Sequence, residues 1–261
     1  ALTVWQGFSV LMISVFGWPK EVIWLNLACL SAFILFAKTY HSLELLIALI
    51  PFYVVLPNSY FDTLSAWRPL FVLLFAVWFV KNKQLKISSL QWMPWDKVLG
   101  YFALAMSIIT LIFAKFPWQG VKQLLFFINI YLFYIVLINT LKTRKQVYGI
   151  IKSAAASFAI IITIGYIQLI STFFTVMETF WVYWADNIAR IFYGDGFAQV
   201  SLYSNSWFSY AGGRELRMFS IQPDSQSFAY IGVFAIAFAL PLTSIVLKKF
   251  RAWLWSGLRF V

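Results

Sequence analysis

The chain has 261 residues, 62% hydrophobic and only 11% charged, with a formal net charge of +11. A soluble domain is about 45–50% apolar and about 25% charged, so no single water-facing core hides this much apolar surface, and lipid is the expected solvent. The one cysteine, Cys29, excludes an intrachain disulfide and a cysteine metal cluster. In such a chain the positive excess reads as topology signals and contacts with anionic lipid, not as a nucleic-acid surface.

A spanning helix needs about 20 mostly apolar residues, because the hydrocarbon core is about 30 Å thick and each residue rises about 1.5 Å. Eight segments qualify in chain order: 2–18, 22–38, 43–57, 64–80, 97–114, 121–141, 147–177 and 227–247. The predicted fold is therefore all-α, a polytopic transmembrane helical bundle of about eight spans. The third segment is short and carries Pro51, so a kink or tilt is expected there. The seventh is long enough to tilt or to project beyond the bilayer. Small residues at Ser153–Ser157 and at Ala229, Gly232 and Ala235 predict close helix packing, and Pro241 predicts a kink in the eighth span.

Basic residues cluster after every second span: Lys38; Lys81, Lys83 and Lys86; Lys142, Arg144 and Lys145; Lys248, Lys249 and Arg251. The positive-inside bias puts those loops and the N-terminus in the cytoplasm. The loop over residues 178–226 is then external. It holds five of the nine acids, Glu178, Asp186, Asp195, Glu215 and Asp224, among many aromatic rings. Within Phe180–Phe192, Asp186, Asn187 and Arg190 share one helical face, with Trp181, Trp184, Ile188 and Phe192 as the apolar set. That pattern predicts a helix lying in the interface. Three regions follow: membrane helices over 1–177, an external aromatic-rich loop over 178–226, and the start of a further membrane region over 227–261. The opening on Ala1 and the basic, aromatic stretch Phe250–Val261 suggest a piece of a longer protein.

P-loop, dinucleotide, HExxH and GxSxG motifs are absent, and no cofactor or metal site is expected. The only histidine, His41, reads as a solvated loop residue beside Glu44. Asn26, Asn129, Asn139 and Gln168 are the amides in or near the spans, each expected to bond another helix. The densest polar cluster runs from Gly212 to Ala229. Arg214 and Arg217 follow a flexible glycine pair. A Pro223-Asp224-Ser225 turn then opens a membrane helix, whose free N–H groups Asp224 or Ser225 can cap. Such a helix start favours anions, and arginine's donor fork matches phosphate oxygens. The plainer alternative pairs Arg214 and Arg217 with Glu215, Asp224 or lipid headgroups.

The segment Arg217-Met-Phe-Ser-Ile-Gln-Pro-Asp-Ser-Gln-Ser-Phe-Ala229 resembles the motif opening the shared region of the O-antigen ligase and O-antigen polymerase superfamily. It departs at the turn, where Pro223-Asp224-Ser225 replaces the commoner Pro-Asn pair. The resemblance covers about 15 residues by motif and the whole chain by helix pattern. It implies a metal-independent glycosyltransferase of the GT-C type in the bacterial cytoplasmic membrane. Such an enzyme moves a glycan from an undecaprenyl-diphosphate carrier to an acceptor hydroxyl on the outer face. It also implies that Arg217, and more weakly Arg214, bind the diphosphate, with Asp224, Ser225 and Glu215 in support. A family histidine and a further arginine are expected in a later external loop beyond Val261. A transporter or lipid-carrier flippase, and a non-catalytic membrane scaffold, are the competing readings.

Overall fold

A computed structural model describes residues 2–57, 64–82, 94–113, 115, 117–196, 198–199, 208–209, 215–222 and 225–257. Among the described residues the structure is mainly helical, with one two-stranded antiparallel pair. In order the helices are α1 (Leu2–Phe16), α2 (Val22–Phe36), α3 (Thr39–Ala48), α4 (Trp67–Lys81), α5 (Pro94–Phe113), α6 (Pro117–Thr140) and α7 (Arg144–Ser171). Then come α8 (Met177–Tyr183), a π-helical turn over Trp184–Ala189, α9 (Arg190–Tyr193) and α10 (Ser225–Gly257). Strands β1 (Phe208–Ser209) and β2 (Glu215–Leu216) pair between α9 and α10, Phe208 opposite Leu216 and Ser209 opposite Glu215.

Among the described residues one helix, α7, is long and apolar enough to cross a membrane; its 28 residues rise about 42 Å. Shorter apolar helical stretches cover Leu2–Phe16, Val22–Phe36, Leu124–Thr140 and Ser225–Pro241. Large apolar side chains stand exposed on these helices and on α5, among them Leu11, Leu25, Phe102, Ile128, Ile167 and Phe234. Apolar faces of that kind mark contact with membrane or protein.

The third apolar segment is not one helix. The chain leaves α3 at Ala48, turns through a 3-10 helix over Ile50–Phe52, and continues extended to a bridge between Val55 and Ser65. Pro51 supplies the reason: it has no N–H to give and disfavours a helical conformation in the residue before it.

The chain divides into two compact units, one of residues 1–26, 44–65 and 147–261, the other of 27–43 and 66–146. In the second unit α6 packs on α4. Leu70, Leu74 and Trp78, spaced four apart, are buried along α4. Phe71 stacks on Phe133 at 4.2 Å, Trp67 meets Phe126 edge-on at 5.4 Å, and Asn129 Nδ2 donates to the Arg68 carbonyl at 3.0 Å.

In the first unit α7 is the spine. Ile150, Ala154, Ser157, Ile161, Gly165 and Gln168 recur every three or four residues and are buried, so one face of α7 carries the packing. Ser157 Oγ donates to the Ile47 carbonyl at 2.6 Å, tying α7 to the end of α3. Asn26 Oδ1 accepts from Trp5 Nε1 at 2.7 Å and from Ser9 Oγ at 3.4 Å, joining α1 to α2. On α10, Phe228 lies over Gly165, and Phe238 meets Phe158 edge-on at 5.5 Å. These two contacts run in opposite chain directions, so α7 and α10 are antiparallel.

Candidate functional site

The predicted site residues have different fates. Arg214 and Asp224 lie outside the described residues. Glu215 pairs in β2, and Ser225 is the first residue of α10. Arg217 is exposed, one residue beyond β2, and makes no ion pair among the described residues.

The segment that carries Arg217 is tightly defined. Phe219 is buried and meets Trp184 edge-on at 6.1 Å, within a cluster formed by Phe180, Trp184, Ala185 and Ala189. Ser220 takes a left-handed backbone conformation, φ 53°, which costs a residue with a Cβ about 1–2 kcal/mol. Hydrogen bonds offset that cost. Ser220 Oγ donates to the Ile161 carbonyl at 2.6 Å, and the backbone N–H groups of Phe219 and Ser220 both donate to Gln168 Oε1, at 2.9 Å each. Tyr193 Oη donates to the Ile221 carbonyl at 2.7 Å, and Gln222 N closes the turn onto the Phe219 carbonyl at 2.9 Å. Arg217 therefore faces outward from a backbone held at Phe219, Ser220 and Ile221.

Met218, beside Arg217, lines a groove of about 450 Å³ between α7 and α10. Ile162 and Tyr166 form one wall; Ala229, Gly232, Ala235 and Ile236 form the other. The small residues of α10 were expected to draw helices together. They instead leave space, and a Cβ added at Gly232 would meet nothing within 4 Å. The two phenylalanine contacts explain this, because Phe228 on Gly165 and Phe238 on Phe158 wedge the helices apart on either side of the small stretch. The result is an apolar slot whose lining residue Met218 is the chain neighbour of the exposed Arg217.

The aromatic helix over Phe180–Phe192 is present as α8, the π-helical turn and α9. Phe180, Trp184, Ala185, Ala189, Ile191 and Phe192 are buried. Asp186 and Asn187 border a shallow surface recess with Glu178 and Tyr183. Arg190 holds Asp186 at 3.3 Å and Asp195 at 3.0 Å, and Lys20 stands 3.8 Å from Asp195. These groups are well exposed, so each pair contributes about 0–1 kcal/mol.

His41 lies in α3, its ring 5.3 Å from Tyr40. No group of three or more His, Cys, Asp or Glu among the described residues could hold a metal ion. Two charged residues near the starts of apolar helices escaped the sequence reading. Arg68 lies one residue into α4, its guanidinium 5.6 Å from the Trp67 ring centroid and 5.3 Å from that of Phe126, with its Nε buried and unbonded. Asp96, in the first turn of α5, is only 4% exposed. The available signal was a charge beside an aromatic, Trp67-Arg68 and Trp95-Asp96, at the edge of an apolar run. No family model, curated protein or solved structure matches the chain.

Proposed function

We propose that this chain belongs to a multi-pass membrane glycosyltransferase of the O-antigen ligase and polymerase kind, residing in the bacterial cytoplasmic membrane with its N-terminus inside. In this reading a glycan leaves an undecaprenyl-diphosphate carrier for an acceptor hydroxyl, on a lipid or another glycan, at the outer face. Several spans carry the chain, with α7 and α10 among them.

One observation carries the reading: Arg217, exposed and without an ion pair among the described residues, is the chain neighbour of Met218, which lines an apolar groove, on a segment held by buried hydrogen bonds. A polyprenyl diphosphate combines these two chemistries, an apolar chain and a compact anion. Charge grows on the diphosphate as the glycosyl bond breaks. A fixed guanidinium stabilises that charge best where water is scarce and the cation needs no reorganisation. Arg214 is the second cation of the proposal, with Glu215, Asp224 and Ser225 setting the loop and helix start around it.

The test is Arg217→Ala in the full-length protein. Surface glycan on a gel should disappear while the protein still inserts at wild-type level. Normal glycan from that variant would sink the reading. A carrier flippase or transporter is the second reading, favoured by Arg68 and the buried Asp96, because ionisable groups within apolar helices mark polar routes. Transport in liposomes by purified protein, undiminished by Arg217→Ala, would favour it.

A further inference from the structure

We propose that Gln168 is a positioning residue for Arg217, acting through its side-chain carbonyl on the backbone that follows the arginine. The inference rests on the reading of Arg217 as the cation that meets a lipid-linked diphosphate.

Gln168 lies near the C-terminal end of α7 and is only 1% exposed. Its Oε1 accepts two consecutive backbone N–H groups, those of Phe219 and Ser220, at 2.9 Å each. Two successive amides converge on one oxygen only where the backbone turns sharply, and the left-handed Ser220 provides that turn. The opposite end of the same amide, Nε2, is buried without a hydrogen-bond partner among the described residues. Gln168 therefore serves the segment through its oxygen alone, and an acceptor is the one property the site requires.

Other anchors separate positioning from folding. Phe219 remains packed against Trp184, Ser220 Oγ remains on the Ile161 carbonyl, and Tyr193 remains on the Ile221 carbonyl. Removing the Gln168 oxygen leaves the segment attached at those three points. It frees the Met218–Phe219 and Phe219–Ser220 peptide units, and with them the backbone that carries Arg217 beside Met218 at the groove.

The experiment uses the full-length protein in nanodiscs, with undecaprenyl diphosphate as the probe and thermal melting run on the same samples. Gln168→Leu, assayed well below its melting temperature, should bind the probe on the order of 10- to 100-fold more weakly, the scale at which small misplacements act. Gln168→Glu, which keeps an oxygen in place, should return close to wild type. A purely structural role would lower the melting temperature while folded Gln168→Leu bound normally, and that result overturns the proposal. So does a Gln168→Glu variant as weak as Gln168→Leu. If Gln168→Leu does not fold, Gln168→Asn, one methylene shorter, takes its place and should show the same weakening; wild-type affinity there overturns the proposal too. Wild-type protein that fails to bind the probe, or Arg217→Ala that binds it normally, overturns the donor reading and this inference with it. Binding lost in Arg217→Ala but unchanged in Gln168→Leu overturns the positioning role alone.

Discussion

Gly165 shows how one absent side chain shapes the slot between α7 and α10. A Cβ there would stand 2.6 Å from Cζ of Phe228, so the ring occupies the space that the glycine leaves. Gly165→Ala should therefore destabilise the protein by about 1–3 kcal/mol, as overpacking does. The same change in a Phe228→Ala background should cost almost nothing, since the clash is gone. Thermal melting of the four proteins in detergent checks this, and equal losses in both backgrounds would remove the ring contact as the cause. The buried amides make a related point. Asn26 and Asn129 bond other helices, Gln168 bonds a loop, and one of the contacts of the Asn139 amide is to the carbonyl of Ile135 in its own helix. An amide among apolar residues announces a buried hydrogen bond without naming its partner. For Gln168 that partner stood 51 residues away.

Among the elements, α7 was the most legible. Its long apolar run with small residues at Ser153–Ser157 predicted a packed helix, and Ser157 is buried with its hydroxyl on the Ile47 carbonyl. Ser157→Ala should cost about 0.5–1.5 kcal/mol, the net worth of such a bond. Ser157→Leu should cost more, because a fully buried site has no room for the added methylenes. Chemical or thermal unfolding in detergent reads both, and a Leu variant as stable as wild type would contradict the packing. The helix over Phe180–Phe192 was legible as a polar face on an aromatic body, but its π-helical middle was not. One extra residue per turn changes hydrogen-bond register while leaving composition untouched. The third apolar segment misled for the opposite reason. Its hydropathy suits a span, yet Pro51 ends the helix and the following residues take an extended path.

For the molecule as a whole, the alternation of basic loops makes a topology that labelling can test. Cys29 is the only cysteine, so a Cys29→Ser background is silent to thiol reagents. In intact cells Asn187→Cys, on the proposed outer side, should react with a membrane-impermeant maleimide. Lys145→Cys, on the proposed cytoplasmic side, should react only after permeabilisation. Labelling of both in intact cells, or of neither, would break the topology read from the basic loops.

Composition alone showed that the chain is far more apolar than an average soluble domain, and apolar run lengths largely marked where helices form. Both properties are sums over neighbouring residues, and so they survive without knowledge of the fold. Arg217 could be singled out for the same reason, because its motif is local. Tertiary structure alone decided that Gln168 grips the segment behind Arg217, that Phe228 and Phe238 wedge open an apolar groove, and that Gly232 faces space instead of a neighbour. Those contacts join residues far apart in the chain. Their existence depends on distance and direction in space, which no local pattern of side chains encodes.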